Sequence, residues 1–477
     1  ETGRYPTGYR LFVRETWKVH CIVTVFPIQW AEREAGNERR RDRTPAMRDG
    51  RAKMNTALYE TYVQILHEEL VPAMGCTEPI AVAYAGALAR QTLGTLPERI
   101  ELTVSGNIIK NVKSVIVPNT GHLKGMEAAV AAGIIAGSAE KELEVISEVS
   151  EEKKSAIRDY LQTVPITIEH TEQGHVFDIV VTERCGQDYA RVRIADYHTN
   201  ICRIEKNGTV LYEVPLLDET VQEDARADRS LLNMQDIWDF AETADLRDVA
   251  DLLERQIRYN NAIAEEGLLG DYGANIGRVL LTTYGNDVSN RAKAKAAAGS
   301  DARMNGCELP VIINSGSGNQ GITCSVPLIE YAKELHSGKE KLYRALIISN
   351  LVAIHEKTGI GTLSAYCGAV SAGAGAGAGI VYLCGDGYQA AIHTVVNALA
   401  IVSGIVCDGA KASCAAKIAS SVDAALLGYN MYKCNQEFKG GDGIVMKDIE
   451  TTIKGIGRLG KDGMRQTNEE IIRLMMS

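Results

Sequence analysis

Three cysteines lie beside glycines or helix-breaking residues rather than inside an apolar repeat: Cys76, Cys367 and Cys407. A thiolate is a strong metal ligand and a nucleophile, and the N-terminus of a helix stabilises it. A single cysteine in such a chain is usually a small buried hydrophobe. Three in similar loop-to-helix settings favour a metal or catalytic role, although their spacing alone defines no site. The sequence contains no CxxC pair, so it supports neither a zinc ribbon nor a ferredoxin arrangement.

Two basic side chains are candidates for the base of a proton-transfer reaction. His198 lies at the edge of a predicted strand, and histidine titrates near neutral pH. Lys110 is the second candidate, because a buried lysine can act as a base. A surface histidine and a solvated lysine are the ordinary alternatives. His122 ranks below both, and Lys411, beside the third cysteine, is expected to offset negative charge.

Short polar side chains near glycines could bind a small anion such as a carboxylate. The segment 315–321 is rich in glycine, and residues 119–121 form a second candidate anion nest. An ordinary tight turn is the alternative for each. The residues that we expect to bind substrate are Thr77, Glu78, Asn107, Asn119, Thr120, Asn200, Ser315, Ser317 and Asn319.

The bulk composition is that of a globular protein. The chain has 477 residues, of which 45% are hydrophobic, so two or three domains are expected. Its net charge of -10 argues against nucleic acid as a partner. The number of cysteines, 11, is odd, and their spacing suggests no small disulfide scaffold. Both observations favour the reducing cytoplasm as the location of the protein. No apolar run reaches membrane-spanning length and no signal peptide is evident, so no membrane association is expected.

The periodicity of apolar residues predicts the helices and strands that position these side chains. Together these elements predict an α+β fold. Helical spacing over 58–70 ends at Val71-Pro72, and a loop then leads to an alanine-rich helix with Thr77 as its N-cap. Hairpin tips are expected at Gly174 and at 207–208. The predicted strands are 99–105, 112–117, 167–169, 176–182, 190–194, 201–205 and 210–212, with a helix at 126–136.

The domain organisation is predicted from changes in composition. We expect a disordered extension over 1–53, with Met54 as the natural start and a real basic tail as the alternative. A mixed α+β domain over 54–217 is followed by a helical connector over 218–272. The remaining part, 273–477, is predicted to be a helical domain rich in Gly and Ala. Its alternating run 372–379 is expected to be a closely packed helix and not a dinucleotide fingerprint.

Several ordered motifs carry a resemblance to a known family. They are Gly-Cys-Thr-Glu-Pro at 75–79, Ser-Gly-Ser-Gly-Asn-Gln-Gly at 315–321, Leu-Ser-Ala-Tyr-Cys at 363–367, and Cys-Asp-Gly-Ala at 407–410 with Ser-Cys at 413–414. From Met54 onward the sequence resembles the L-cysteine desulfidase family. The C-terminal half of that family is similar to the alpha chain of iron–sulfur L-serine dehydratases.

The resemblance implies a cofactor and a set of ligands. Cys76, Cys367 and Cys407 are expected to bind a [4Fe-4S] cluster that leaves one iron open. Cys414 is the alternate ligand, because the serine dehydratases use a cysteine shortly beyond the one that matches Cys407. Cys76 is preferred because its loop belongs to the desulfidase pattern. Cys324, beside the glycine-rich segment, is expected to be a packing residue.

The implied reaction is β-elimination of L-cysteine, a small amino-acid substrate, to sulfide, pyruvate and ammonium. Iron–sulfur L-serine dehydration is the alternative within lyases. A non-catalytic protein that responds to sulfur or binds a cluster is the alternative outside them. No lysine-plus-phosphate-loop context suggests pyridoxal phosphate. The sequence leaves a homodimer open.

Overall fold

The β-branched segments of the N-terminal half pair into a six-stranded sheet in the order β3-β2-β4-β5-β6-β7. In chain order the strands are β1 (Pro72–Met74), β2 (Arg99–Ser105), β3 (Ile166–Thr171), β4 (Asp178–Cys185), β5 (Asp188–Ala195), β6 (Ile201–Lys206), β7 (Thr209–Glu213) and β8 (Pro310–Ile312). Within the larger sheet only β2 and β3 run parallel. Asn207 and Gly208, at φ 50° and 83°, form the tip of the β6–β7 hairpin, as predicted.

Helices cover one face of this sheet and build most of the remaining chain. They are α1 (Thr56–Glu69), α2 (Thr77–Leu93), α3 (Gly106–Val112), α4 (Gly125–Ala136), α5 (Glu151–Thr163), α6 (Met234–Thr243), α7 (Ala250–Leu269), α8 (Ile276–Tyr284), α9 (Val288–Met304), α10 (Gly318–Glu334), α11 (Lys339–Ile360), α12 (Gly368–Cys384), α13 (Tyr388–Val402), α14 (Ser413–Lys433), α15 (Ile449–Arg458) and α16 (Arg465–Met476). Helix α2 packs on β4 and β5. The α+β class is confirmed.

The structure, a computed structural model, describes residues 54–171, 175–215, 226–361 and 363–476, which belong to one compact unit. The predictions for 1–53 and for Gly174 lie outside the described residues. The proposed domain boundaries at 217 and 272 stay predictions. No helix in the described ranges is long and apolar enough to cross a membrane.

The alternating Ala-Gly run is the centre of the helical half. It lies inside α12, is fully buried, and packs against α10, α11, α13 and α14. Small side chains let these backbones approach closely, since a Cβ added at Gly373 would lie 2.8 Å from the carbonyl oxygen of Ser421 on α14. The prediction of a closely packed helix is confirmed.

Replacing Gly373 with alanine should therefore destabilise the protein by about 1–3 kcal/mol, because α12 and α14 must separate. The measurement is the midpoint of thermal unfolding. Gly404→Ala is the matched control, because nothing lies within 4 Å of a Cβ built at that exposed turn. Equal midpoints for the two variants would contradict the packing argument.

Two local predictions were wrong. The strand predicted over 112–117 does not form, because α3 runs through Val112 and the following loop makes one isolated bridge, Ile116 to Lys124. Its β-branched side chains are used for burial in the core, not for pairing. The N-cap of α2 is Cys76, one residue before the predicted Thr77.

Candidate active site

Four cysteines line one cavity of about 110 Å³. Cys76 precedes α2, Cys367 precedes α12, Cys407 lies in the loop after α13, and Cys414 lies in the first turn of α14. Cys367 and Cys76 are buried, and the other two are half-buried. The structure thus brings together the three predicted ligands and the predicted alternate.

Backbone pairing holds the second and third cysteine loops side by side. Tyr366 and Val406 form an antiparallel bridge. The N–H of Cys367 donates to the carbonyl of Ile405 at 3.2 Å, and the N–H of Cys407 donates to the carbonyl of Ala365 at 2.6 Å. The relative position of these two loops is therefore fixed by the main chain.

The first cysteine loop is attached to the glycine-rich segment by a two-stranded sheet. Strand β1 pairs antiparallel with β8, with Met74 opposite Pro310. Gly75, at φ 56°, turns the chain in the left-handed region that favours glycine, and Cys76 then caps α2. The hydroxyl of Thr77 donates to the carbonyl of Gly316 at 2.9 Å. These contacts seat Cys76 against the loop that precedes α10.

Helix N-termini surround the cavity. Cys76 caps α2, Ser317 caps α10, Cys367 caps α12, and Cys414 is the second residue of α14. All four helices have at least 17 residues. Their N-terminal partial positive charges favour anions, so the arrangement suits thiolates and an anionic substrate.

Without a metal, the buried thiols are held in the protonated form. Burial raises the pKa of Cys76 well above its ordinary value, and the Glu78 carboxylate raises it further. Burial likewise raises the pKa of Cys367, to about 12, and the pKa of Cys414. A metal would have to displace these protons, as cysteine ligands bind as thiolates.

The donor set fits an iron–sulfur cluster better than a single ion. Soft thiols are the ligands of such clusters, and four of them surround this cavity. Among the described residues, no three His, Cys, Asp or Glu side chains are close enough to hold one metal ion. A four-iron cluster is a larger body, so its ligands stand farther apart around a cavity.

A buried carboxylate lies beside the first cysteine. Glu78 accepts hydrogen bonds from the thiol of Cys76 at 3.1 Å and from the amide of Asn111 at 3.1 Å. His198 Nε2 lies 4.0 Å from Glu78 Oε1, too far for a hydrogen bond, and has no partner in the described part of the chain. Burial alone would raise the pKa of Glu78, but His198 and Cys76 hold it at about 2. Glu78 is therefore ionised and faces the imidazole.

Two buried lysines also line the cavity. Lys110 Nζ donates to Oδ1 of Asn468 on α16 at 2.6 Å, and Asn468 in turn donates to Asn107. Burial lowers the pKa of Lys110, and it lowers the pKa of Lys357 to about 8. Gly409, at φ 91°, passes directly over the Lys110 carbonyl, so the third cysteine loop is seated on α3.

The other predicted site residues divide into two groups. Those that line the cavity are His198, Lys110, Glu78, Ser315, Ser317 and Asn319. Those that do not are Thr77, Asn107, Asn119, Thr120 and Asn200. The amide of Asn119 donates to the carbonyl of Ile146 at 2.8 Å, and the amide of Asn200 donates to that of Ala195 at 2.9 Å. Thr120 closes its own turn by donating to Val117.

Two further residues have positions that test the sequence reasoning. Cys324 is fully buried between α10 and α12 and is absent from the cavity lining, which confirms its packing role. Lys411 Nζ is ion-paired with Asp408 at 2.5 Å, so its charge is already offset by a carboxylate.

Sequence reasoning missed six polar residues of the cavity lining: Asn111, Arg303, Gln320, Lys357, Ser364 and Tyr366. Arg303 carried a signal, because it stands in an alanine-rich helix with no acidic residue three or four positions away. Such a residue cannot be paired on its own helix. Gln320 belongs to the glycine-rich motif and was passed over for its shorter neighbours.

Known proteins match nearly the whole described chain. The family model for the serine dehydratase alpha chain matches residues 140–473. A UPF0597 protein of Desulfitobacterium hafniense is 60% identical over 419 residues, which cover 88% of this chain and 97% of that protein. A UPF0597 protein of Lachnoclostridium phytofermentans is 51% identical over 420 residues, covering 88% and 100%. These names specify no reaction for the two relatives.

Proposed function

The chain belongs to the serine dehydratase alpha-chain family, and from this membership we propose that it is an iron–sulfur lyase that eliminates sulfide from L-cysteine. The observation that carries the proposal is the convergence of four cysteines, an ionised carboxylate and an imidazole on one cavity. We propose Cys76, Cys367 and Cys407 as the cluster ligands. Cys414 lines the same cavity and is the alternate.

When bound, the cluster supplies an iron with an open position that accepts the sulfur leaving the substrate. His198 lines the cavity and is the proposed base for the α-proton, and the ionised carboxylate of Glu78 lies 4.0 Å from its Nε2. Removal of the α-proton leaves its electron pair on Cα, and this pair then forms the Cα–Cβ double bond when the Cβ–S bond breaks. The resulting aminoacrylate tautomerises and reacts with water, giving pyruvate and ammonium beside the released sulfide.

The residues that line the cavity position the substrate. The helix N-termini of α2, α10 and α12 face the cavity and favour the bound anion. Lys110 and Lys357 line the same cavity and bring positive charge close to Cys367 and Cys407. The chain therefore supplies the base and the electrostatic environment, while the cofactor carries the bond cleavage.

L-Serine dehydration is the second candidate. The matching family model is described as a serine dehydratase alpha chain, and Cys414 lies where such an enzyme would use a further cysteine. The oxygen that leaves L-serine is a harder ligand, in the sense of hard and soft donors, than the sulfur that leaves L-cysteine. The two substrates would therefore bind the open iron with different strength.

An anaerobic assay separates the candidates. The protein is reconstituted with iron and sulfide, freed of excess sulfide, and supplied with L-cysteine or L-serine. We expect sulfide and pyruvate to be released in equal amounts from L-cysteine, with a higher kcat/KM than for pyruvate release from L-serine. A preference for L-serine would reverse the substrate assignment. Cluster binding without turnover of either amino acid would favour a binding protein.

A further inference from the structure

Arg303 is a buried cation without a partner. It lies in the last turn of α9, its side chain is 2% exposed, and it lines the cysteine cavity. Its Nε and Nη2 atoms are buried and donate to no hydrogen-bond acceptor in the described ranges of the chain. An unpaired buried charge is costly, so its retention calls for an anion that arrives with a ligand.

The surrounding backbone makes room for this guanidinium. A Cβ added at Gly318 would lie 2.8 Å from Cζ of Arg303, so the side chain packs over the first residue of α10. The carboxylate that lines the same cavity, Glu78, uses its oxygens for Cys76, Thr77 and Asn111. Arg303 is therefore placed at a helix N-terminus, and its charge remains available to a bound anion.

Two acceptors near Arg303 are also unused. The side-chain oxygens of Asn319 and Gln320 are buried, line the cavity and have no hydrogen-bond donor among the described residues. Gln320 is 5% exposed, and its amide carbon would lie 2.6 Å from a Cβ at Gly368, the residue after Cys367. A donor site on α9 and an acceptor site on the first turn of α10 thus line the same cavity.

We propose that Arg303 binds the α-carboxylate of the substrate and that the amide oxygens of Asn319 and Gln320 receive its α-ammonium group. This inference rests on the proposed function, since it assumes a zwitterionic amino acid in the cavity. Arginine suits the task because its planar fork matches a carboxylate with two parallel hydrogen bonds. The side chain acts in binding and orientation, while the base remains His198.

The test uses two analogues that each lack one charge of cysteine. 3-Mercaptopropionate has the thiol and the carboxylate, whereas cysteamine has the thiol and the ammonium group. Each is titrated anaerobically into the reconstituted protein, and binding is followed by the visible absorption of the cluster. We expect Arg303→Gln to weaken 3-mercaptopropionate binding by roughly tenfold or more, because a charged hydrogen-bonded pair is lost. Cysteamine has no carboxylate, so its affinity should change less than about twofold.

Two further variants complete the set. Arg303→Lys keeps the charge without the fork, so its affinity for 3-mercaptopropionate should lie between those of the wild type and Arg303→Gln. Lys293→Gln is the matched control, because this lysine lies on the same helix, is ion-paired with Asp423 and is absent from the cavity lining. It should bind both analogues as the wild type does.

Thermal unfolding of the metal-free protein distinguishes binding from structure. Because Arg303 is an unpaired buried charge, Arg303→Gln should keep or raise the midpoint of unfolding. A lower midpoint with equal loss of both analogues would make Arg303 a structural residue and overturn the proposal. Loss of iron with unchanged preference between the analogues would assign Arg303 to the cluster and also overturn it.

Failure of the two proposals can be told apart. If the wild-type protein releases sulfide from L-cysteine while Arg303→Gln keeps its affinity for 3-mercaptopropionate, only the Arg303 inference fails. If the wild-type protein neither turns over L-cysteine nor binds either analogue, the proposed function fails and the inference falls with it.

Discussion

Serine in place of Cys367 or Cys407 is expected to lower both the iron content and the rate of sulfide release by more than roughly 100-fold. Replacing a residue that only contacts a metal ligand already lowers metal affinity or activity by about 10–100-fold. These two thiols would be ligands themselves, so a larger loss is expected. The main-chain pairing of their loops holds both cysteines against the cavity. Iron is measured per chain after anaerobic reconstitution, beside the cluster absorption.

Serine substitutions of the same kind also show whether Cys76 or Cys414 is the third cluster ligand. Both lie against the small buried group formed by Val115 and Met304, so their positions alone do not rank them as ligands. We expect Cys76→Ser to lose the cluster and Cys414→Ser to keep it. The reverse result would exchange their roles and would favour L-serine as the substrate. Cys434→Ser is the control, because that thiol is exposed and remote from the cavity lining.

Asparagine in place of His198 is expected to lower kcat by about 100–10,000-fold without loss of iron, the range for removal of a general base. Abstraction of the α-proton is followed directly by exchange of deuterium into recovered L-cysteine in heavy water, and this exchange should stop. The imidazole is suited to the role because His198 lines the cavity and its Nε2 has no hydrogen-bond partner among the described residues.

The control for this prediction is His393→Asn, since His393 is paired with Glu437 and does not line the cavity. Lys110→Gln provides the comparison among candidate bases. Lys110 Nζ already donates to Asn468, so a smaller loss is expected. If His198→Asn keeps its rate while Lys110→Gln loses proton exchange, the lysine is the base.

Local periodicity was sufficient for most of the fold. Strand β2 lies where alternation of β-branched residues was predicted, and α4 lies where small apolar residues recur. The same rule failed at Val115 and Val117, whose side chains are buried without strand partners. Alternation reports burial on one side of a segment, and only the rest of the fold decides whether a neighbouring strand is available.

The site was predicted only in part, because sequence motifs identify loops and not what faces them. The cysteines, Glu78 and His198 reach the cavity, whereas the amide of Asn119 donates to Ile146 and the amide of Asn200 donates to Ala195. Sequence position alone does not distinguish an asparagine that faces a cavity from one that bonds to the main chain. Arg303 was missed because no motif contains it, and its significance depends on the absence of a partner in three dimensions.

The order in which the cavity walls occur along the chain sets a limit on biosynthesis. The walls come from segments that begin at Cys76 and extend to Ile418 on α14, and the innermost helix, α12, lies between them in sequence. A ribosome makes these segments one after another, so no early portion of the nascent chain contains the complete set of thiols. If Cys76, Cys367 and Cys407 hold the cluster as proposed, its assembly must wait until translation has passed residue 407.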